Sequence, residues 1–165
     1  MSPSISVTLR ESPPTDAWFA ALAENLMPMH PARFPVWGKI LETAFRQKCY
    51  TVEAEIAGRP AGVLPMVFMK SMLFGKFLIG QPYLNVGGTL VPDSEMAEDV
   101  NHRLIDEAVK LADTLGVRYL ELRGEREISH PALNFKRTSK VLMRLELPAD
   151  EEELWKKLET KLQIF

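Results

Sequence analysis

Tyr83, Asn85, Gly87 and Gly88 fall within one short run, Gln81-Pro82-Tyr83-Leu84-Asn85-Val86-Gly87-Gly88, and Arg123 ends a strand-like segment downstream. Their types suit contact with a polar or anionic molecule. A phenol and a carboxamide give directed donors and acceptors. Adjacent glycines let backbone amides approach a ligand, and a guanidinium matches a carboxylate or phosphate. Each type also has a commoner structural use. Paired glycines turn the chain, Asn forms turns, Tyr packs, and a strand-end Arg pairs with a surface acid. Spacing alone selects neither use. No general base or nucleophile accompanies these residues. His30, His102 and His130 are scattered and give no metal-ligand spacing. Cys49 is the one cysteine, has no base beside it in sequence, and reads as a small core side chain. Met66, Met69 and Met72 read as packing or turn residues. Lys136, Arg137 and Lys140 read as a solvated basic loop, with contact to a phosphate as the alternative.

The candidate residues close the most apolar stretch of the chain, residues 62–91. Lys70 and Lys76 flank a turn at Ser71–Gly75, and strand-length apolar runs lie on either side. Runs apolar at nearly every position predict central strands covered on both faces. Pro65 predicts a bulge or a local loss of pairing in the first of them.

The remaining elements follow in order. Ile5–Leu9 alternates as a strand. Thr15 caps a helix over Asp16–Leu26, with Trp18, Leu22 and Leu26 on one face. Pro28 and Pro31 make a loop, and Pro35 opens a second helix carrying Trp37, Ile40, Leu41, Ala44 and Phe45. Tyr50, Val52, Ala54 and Ile56 alternate with polar residues, predicting a half-exposed strand. Ala57-Gly58-Arg59-Pro60 is a tight turn. Asp93 or Ser94 caps the longest helix, whose inner stripe is Met96, Val100, Leu104, Ala108, Leu111 and Leu115 and which Gly116 ends. Val117–Arg123 is a strand, and strand, helix and strand together make a parallel crossover. A short helix near Pro131-Ala132-Leu133, a strand over Val141–Leu147 and a helix over Glu151–Leu162 capped by Asp150 complete the list.

Composition narrows the classes. The chain has 165 residues, 46% hydrophobic and 25% charged, enough for one core. A net charge of -2 supplies no global basic field for nucleic acid. One cysteine rules out an internal disulfide framework and fits a reducing compartment. The N-terminal residues lack signal-peptide character, and no apolar run reaches the ~20 residues of a membrane span. The expectation is a soluble, cytoplasmic protein.

The element order β-α-α-β-β-β-α-β-(α)-β-α is that of the GNAT acyltransferase fold, an α/β class with a mixed, mainly antiparallel sheet. There, the strands before and after the long helix splay to form a cleft. Tyr83–Gly88 and Val117 would stand at that cleft. An acyl-CoA-binding member carries Gln/Arg-x-x-Gly-x-Gly/Ala at the turn into the helix. Here Leu84-Asn85-Val86-Gly87-Gly88-Thr89-Leu90-Val91-Pro92-Asp93 departs from that spacing, and Asp93, Glu95, Glu98 and Asp99 would repel phosphate.

Gly62-Val63-Leu64-Pro65, Leu73–Leu78, Pro82–Gly88, Leu115–Arg123 and Leu154-Trp155-Lys156-Lys157-Leu158 with Lys161-Leu162 resemble FemAB-like proteins. The nearest branch is the one associated with PEP-CTERM/exosortase and exopolysaccharide loci in bacteria. The resemblance implies two GNAT-like domains and transfer of an acyl or aminoacyl group to an amine of a cell-envelope precursor, peptidoglycan or exopolysaccharide related. The donor would be aminoacyl-tRNA or acyl-CoA, with no metal or resident cofactor. It implies a GNAT-like domain over residues 1–148, with residues 149–165 as a C-terminal helix starting a missing second domain. Substrate contact is expected at Tyr83, Asn85, Gly87, Gly88 and Arg123, and homodimerisation through the C-terminal helix. Two rivals are a single-domain N-acyltransferase using acyl-CoA and a noncatalytic binding or dimerisation module.

Overall fold

The computed structural model describes residues 4–162 apart from 25, 27, 28 and 140–146. The expected strand over Val141–Leu147 falls almost wholly outside the described residues. The elements are β1 (Ile5–Arg10), α1 (Asp16–Ala23), a 3-10 turn (Pro31–Arg33), α2 (Val36–Phe45), β2 (Lys48–Ile56), β3 (Arg59–Ser71), β4 (Gly75–Ile79), α3 (Ala97–Leu115), β5 (Tyr119–Glu121) and α4 (Glu151–Leu162). The chain forms two compact units, Met1–Asn134 and Phe135–Phe165. The second carries α4, whose first turn is capped by the Asp150 carboxylate accepting from the Glu152 amide at 3.1 Å.

In the first unit five strands lie in the order β1-β2-β3-β4-β5. Neighbours from β1 to β4 are antiparallel, and β5 joins β4 in parallel after the α3 crossover. Helix α3 covers one face. Val100, Leu104 and Ala108 pack there against Tyr50, Val52, Ala54, Leu64, Met66 and Leu78, as their 3.6-residue spacing dictates. Gly116 ends α3 with φ 60. The opposite face carries Leu41 of α2 against Cys49 and Val67, with Met69 beside them.

Because helices cover both faces, β2 is buried on both sides, not half-exposed as its alternation suggests. Thr51 and Glu53 are 0% and 2% exposed. Thr51 Oγ1 donates to the Ser12 carbonyl at 2.7 Å, and Glu53 pairs with Arg10 of β1. Helix α1 stops at Ala23, short of Leu26, and buries Phe19 and Leu22; Trp18 instead donates to Glu55 at 3.2 Å. Pro35 is the N-cap of α2 and not its first residue. The helix buries Gly38 and Leu41 and leaves Phe45 exposed. The α3 cap is Met96, with no side-chain hydrogen bond, so neither Asp93 nor Ser94 fills that role. Residues 131 and 132 form a turn in place of the expected short helix.

The β2–β3 turn has φ 50 at Ala57 and 73 at Gly58, the two left-handed residues of a type I′ hairpin. Pro65 acts on one side only. It stays paired with Thr51 of β2. Val63 exchanges both hydrogen bonds with Leu90, so Pro65, two residues on, presents its missing donor to the same side, that of β4. There the ladder breaks.

Candidate functional site

Strand β4 pairs Ile79 with Val67 and then leaves the sheet. An unbroken ladder would place Tyr83 opposite Val63. Leu90 stands there, seven residues later. Residues 80–89 therefore form a looped excursion from the sheet, at the end of β4 where β4 and β5 would otherwise diverge.

Two glycines close its base. A Cβ on Gly80 would collide with the Gly87 carbonyl, and one on Gly87 with the Gly80 carbonyl, so only glycine permits the approach. Gly80 donates to the Glu121 carbonyl at 2.9 Å. The Gly87 amide donates to the Arg123 carbonyl at 2.8 Å, and the Arg123 amide returns a bond at 3.4 Å. The gap between β4 and β5 is thus bridged by backbone. Gln81 and Tyr83 adopt φ 49 and 69, and this left-handed backbone turns the loop back.

Side chains from three other parts of the fold hold the loop. Arg123 Nη1 donates to the Leu84 carbonyl at 2.9 Å while its Nε donates to Glu121 at 2.8 Å. Arg33, 5% exposed, donates from Nη1 to the carbonyls of Gly88 at 2.7 Å and Thr89 at 3.3 Å, and pairs with Glu125 at 3.1 Å. Thr89 Oγ1 hydrogen-bonds Asn101 of α3. On the outer side Gln47 donates to the Tyr83 hydroxyl at 2.9 Å, and Phe45 stacks on the Tyr83 ring at 5.5 Å.

The five sequence candidates are therefore neighbours in space. Gly87 and Arg123 are paired, Gly88 is buried beside Arg33, and Asn85 and Tyr83 are exposed on the loop. Arg123 is engaged twice, with a carbonyl and a carboxylate, so its first role is to position the loop. Arg33 and Gln81 were missed. Arg33 lies in a Pro-Ala-Arg-Phe run whose composition gives no signal. Gln81 is buried, and its Oε1 has no partner among the described residues. A cavity of about 20 Å³ lies beneath it, lined in part by Arg33, Cys49, Thr51, Pro65 and Gln81. Burial pushes the Cys49 thiol up to about 12, so it is no nucleophile near neutral pH. His102 and His130, distant in sequence, meet edge to face at 5.0 Å, yet no group of three or more metal-ligating side chains assembles among the described residues.

No family model matches the chain, and no curated protein matches it in sequence. Solved structures do. A ribosomal-protein-alanine N-acetyltransferase from Brucella melitensis biovar Abortus 2308 superposes with a TM-score of 0.53 at 13% identity, over 88% of this chain and 100% of that one. An aminoglycoside acetyltransferase from an uncultured soil metagenomic sample gives 0.50 at 14% identity, over 89% and 99%. The fold is that of the GNAT acetyltransferases. No helix among the described residues is long and apolar enough to cross a membrane.

The turn into α3 departs from the spacing expected of an acyl-CoA-binding member. Pro92 has no amide to offer a pyrophosphate. Glu98 and Asp99 occupy the first turn of α3, Asp93 before them pairs with Arg126 at 2.6 Å, and a backbone bridge links Gly87 to Arg123 between β4 and β5.

Proposed function

We propose that this chain is a FemAB-like transferase half that moves an acyl or aminoacyl group to an amine of a bacterial envelope precursor, with a donor other than acyl-CoA. The observation that carries this reading is the GNAT fold with its β4–β5 cleft closed by the bridge from Gly87 to Arg123. The fold favours acyl transfer, and the closed cleft with an acidic helix start disfavours a coenzyme pyrophosphate. Aminoacyl-tRNA is the donor that fits the sequence resemblance. In this reading residues 149–165 lead towards a second GNAT-like domain.

The loop 80–89 supplies the contacts. Asn85 is exposed and its amide meets no acceptor among the described residues, which leaves a donor for an ester carbonyl as it becomes an oxyanion. The Tyr83 hydroxyl accepts from Gln47 and keeps its own proton to donate to substrate. Arg123, Gly87 and Gly88 hold these groups in place. The amine attacks the ester carbon, the C–N bond forms, the C–O bond breaks, and the proton lost by the amine passes to the departing oxygen, so the donor leaves as its free hydroxyl. Most of the rate would come from positioning and oxyanion stabilisation.

The test is transfer of a radiolabelled aminoacyl group from charged tRNA to an amine-bearing peptidoglycan precursor, using this chain with any coding sequence that continues it. An amide-linked product, reduced by Tyr83→Phe and by Asn85→Pro, is expected. Acetyl transfer from acetyl-CoA to the same amine, with none from charged tRNA, would overturn the reading in favour of a single-domain N-acyltransferase.

A further inference from the structure

We propose that the tip of the β3–β4 hairpin docks this protein on an anionic lipid bilayer. This inference is independent of the transfer reading. Met72, Leu73 and Phe74 stand in solvent at 103%, 88% and 68% exposure. The turn does not need them. Ser71 Oγ accepts from the Leu73 and Phe74 amides at 3.3 Å each, and Gly75 supplies the left-handed residue at φ 96. Polar side chains would serve the same turn and are what turns ordinarily hold. Three consecutive large apolar side chains at a projecting tip therefore call for an apolar neighbour outside the chain.

The charges around the tip say what kind. Lys70 and Lys76 are direct cross-strand partners, and like charges so placed repel. Both are exposed, and among the described residues no carboxylate forms an ion pair with either. Lys76 Nζ instead donates to the Leu115 carbonyl at 3.1 Å. Arg118, also exposed, joins this end of the sheet through its amide bond to the Lys76 carbonyl at 2.8 Å. On the next rung Tyr119, 45% exposed, packs on Phe77 with centroids 4.7 Å apart.

The sequence of chemistries along the hairpin is thus apolar tip, cations, then an aromatic pair. A bilayer offers their complement in the same order, the acyl boundary, lipid phosphates and the headgroup zone. A protein partner fits less well, because a three-residue tip offers far less than the ~800 Å² per partner of a stable interface. The tip lies at the start of β4 and the loop 80–89 follows its end, so roughly 16 Å of strand separates them. Docking at the tip leaves the loop uncovered.

Vesicle flotation tests this. The purified protein should float with vesicles of phosphatidylglycerol and phosphatidylcholine in equal parts, and bind phosphatidylcholine alone about fivefold or more weakly. Leu73→Ser with Phe74→Ser should weaken anionic-vesicle binding about tenfold or more, and Lys70→Gln about fivefold. Added salt should weaken binding as well. The Ser71 bonds remain in all these variants, so an unchanged thermal melt is expected and shows that the fold is kept. Absence of flotation with anionic vesicles, or flotation unchanged by the double serine substitution, would overturn the proposal. So would self-association that the double substitution abolishes without any vesicle binding, since that would assign the tip to a second copy of the chain.

Discussion

At Gly87 a single methyl group decides whether the loop can close. Its Cβ position is filled by the Gly80 backbone and the Gln81 side chain, so relief requires the backbone itself to move. Gly87→Ala should cost about 2 kcal/mol or more in urea unfolding, whereas Asn85→Ala, on the exposed part of the same loop, should stay within about 0.5 kcal/mol. Cys49 gives a pH signature. Its folded thiol titrates near 12 because burial disfavours the thiolate, against an ordinary 9.0. Below about pH 9 the thiol is protonated in both states and stability is unaffected. Between about 9 and 12 the unfolded chain loses this proton and the folded one keeps it, so stability should fall as pH rises. Ellman's reagent should leave Cys49 unreacted near neutral pH until the protein is unfolded. Residue types alone foresaw Cys49 as core and grouped Tyr83, Asn85, Gly87, Gly88 and Arg123. They gave no sign of Arg33, because its partners, the Gly88 and Thr89 carbonyls and Glu125, are all far along the chain.

Among the elements, those whose signal is periodic and local were legible. The α3 stripe, its Gly116 ending, the Ala57-Gly58 turn and the Ser71–Gly75 turn all follow from spacing or turn chemistry. Two departures show where a local pattern is overridden. In β2 the polar positions read as solvent-facing, but helices on both faces bury them. In the second apolar strand the hydrophobic run continues to Val86, while pairing ends at Ile79 because Gln81 and Tyr83 turn left-handed and Pro65 offers no donor. The β1–β2 pair carries a prediction of its own. Glu53 is 2% exposed and its charge partner is Arg10. Arg10→Ala should cost about 2–3 kcal/mol by stranding a buried carboxylate, somewhat below the range for fully buried pairs because Arg10 is half-exposed. Lys39→Ala removes an exposed pair with Asp16 and should cost about 0.5 kcal/mol or less in the same denaturation series.

For the whole molecule, the unit Phe135–Phe165 presents α4 with Leu154 and Leu158 spaced to share one face. We expect dimerisation through that helix. Sedimentation velocity should show a concentration-dependent dimer that Leu154→Glu with Leu158→Glu abolishes, and a strictly monomeric wild-type chain at high concentration would contradict it. The larger question is which donor this GNAT fold accepts. Strand order, crossover and α3 are present among the described residues, with departures at residues 80–89, which bridge to Arg123, and at the acidic approach to α3. Calorimetric titration of the purified protein with acetyl-CoA tests this most directly. A closed cleft and a helix start lacking a phosphate cradle predict no saturable binding at micromolar to low-millimolar coenzyme, and a micromolar dissociation constant would contradict it.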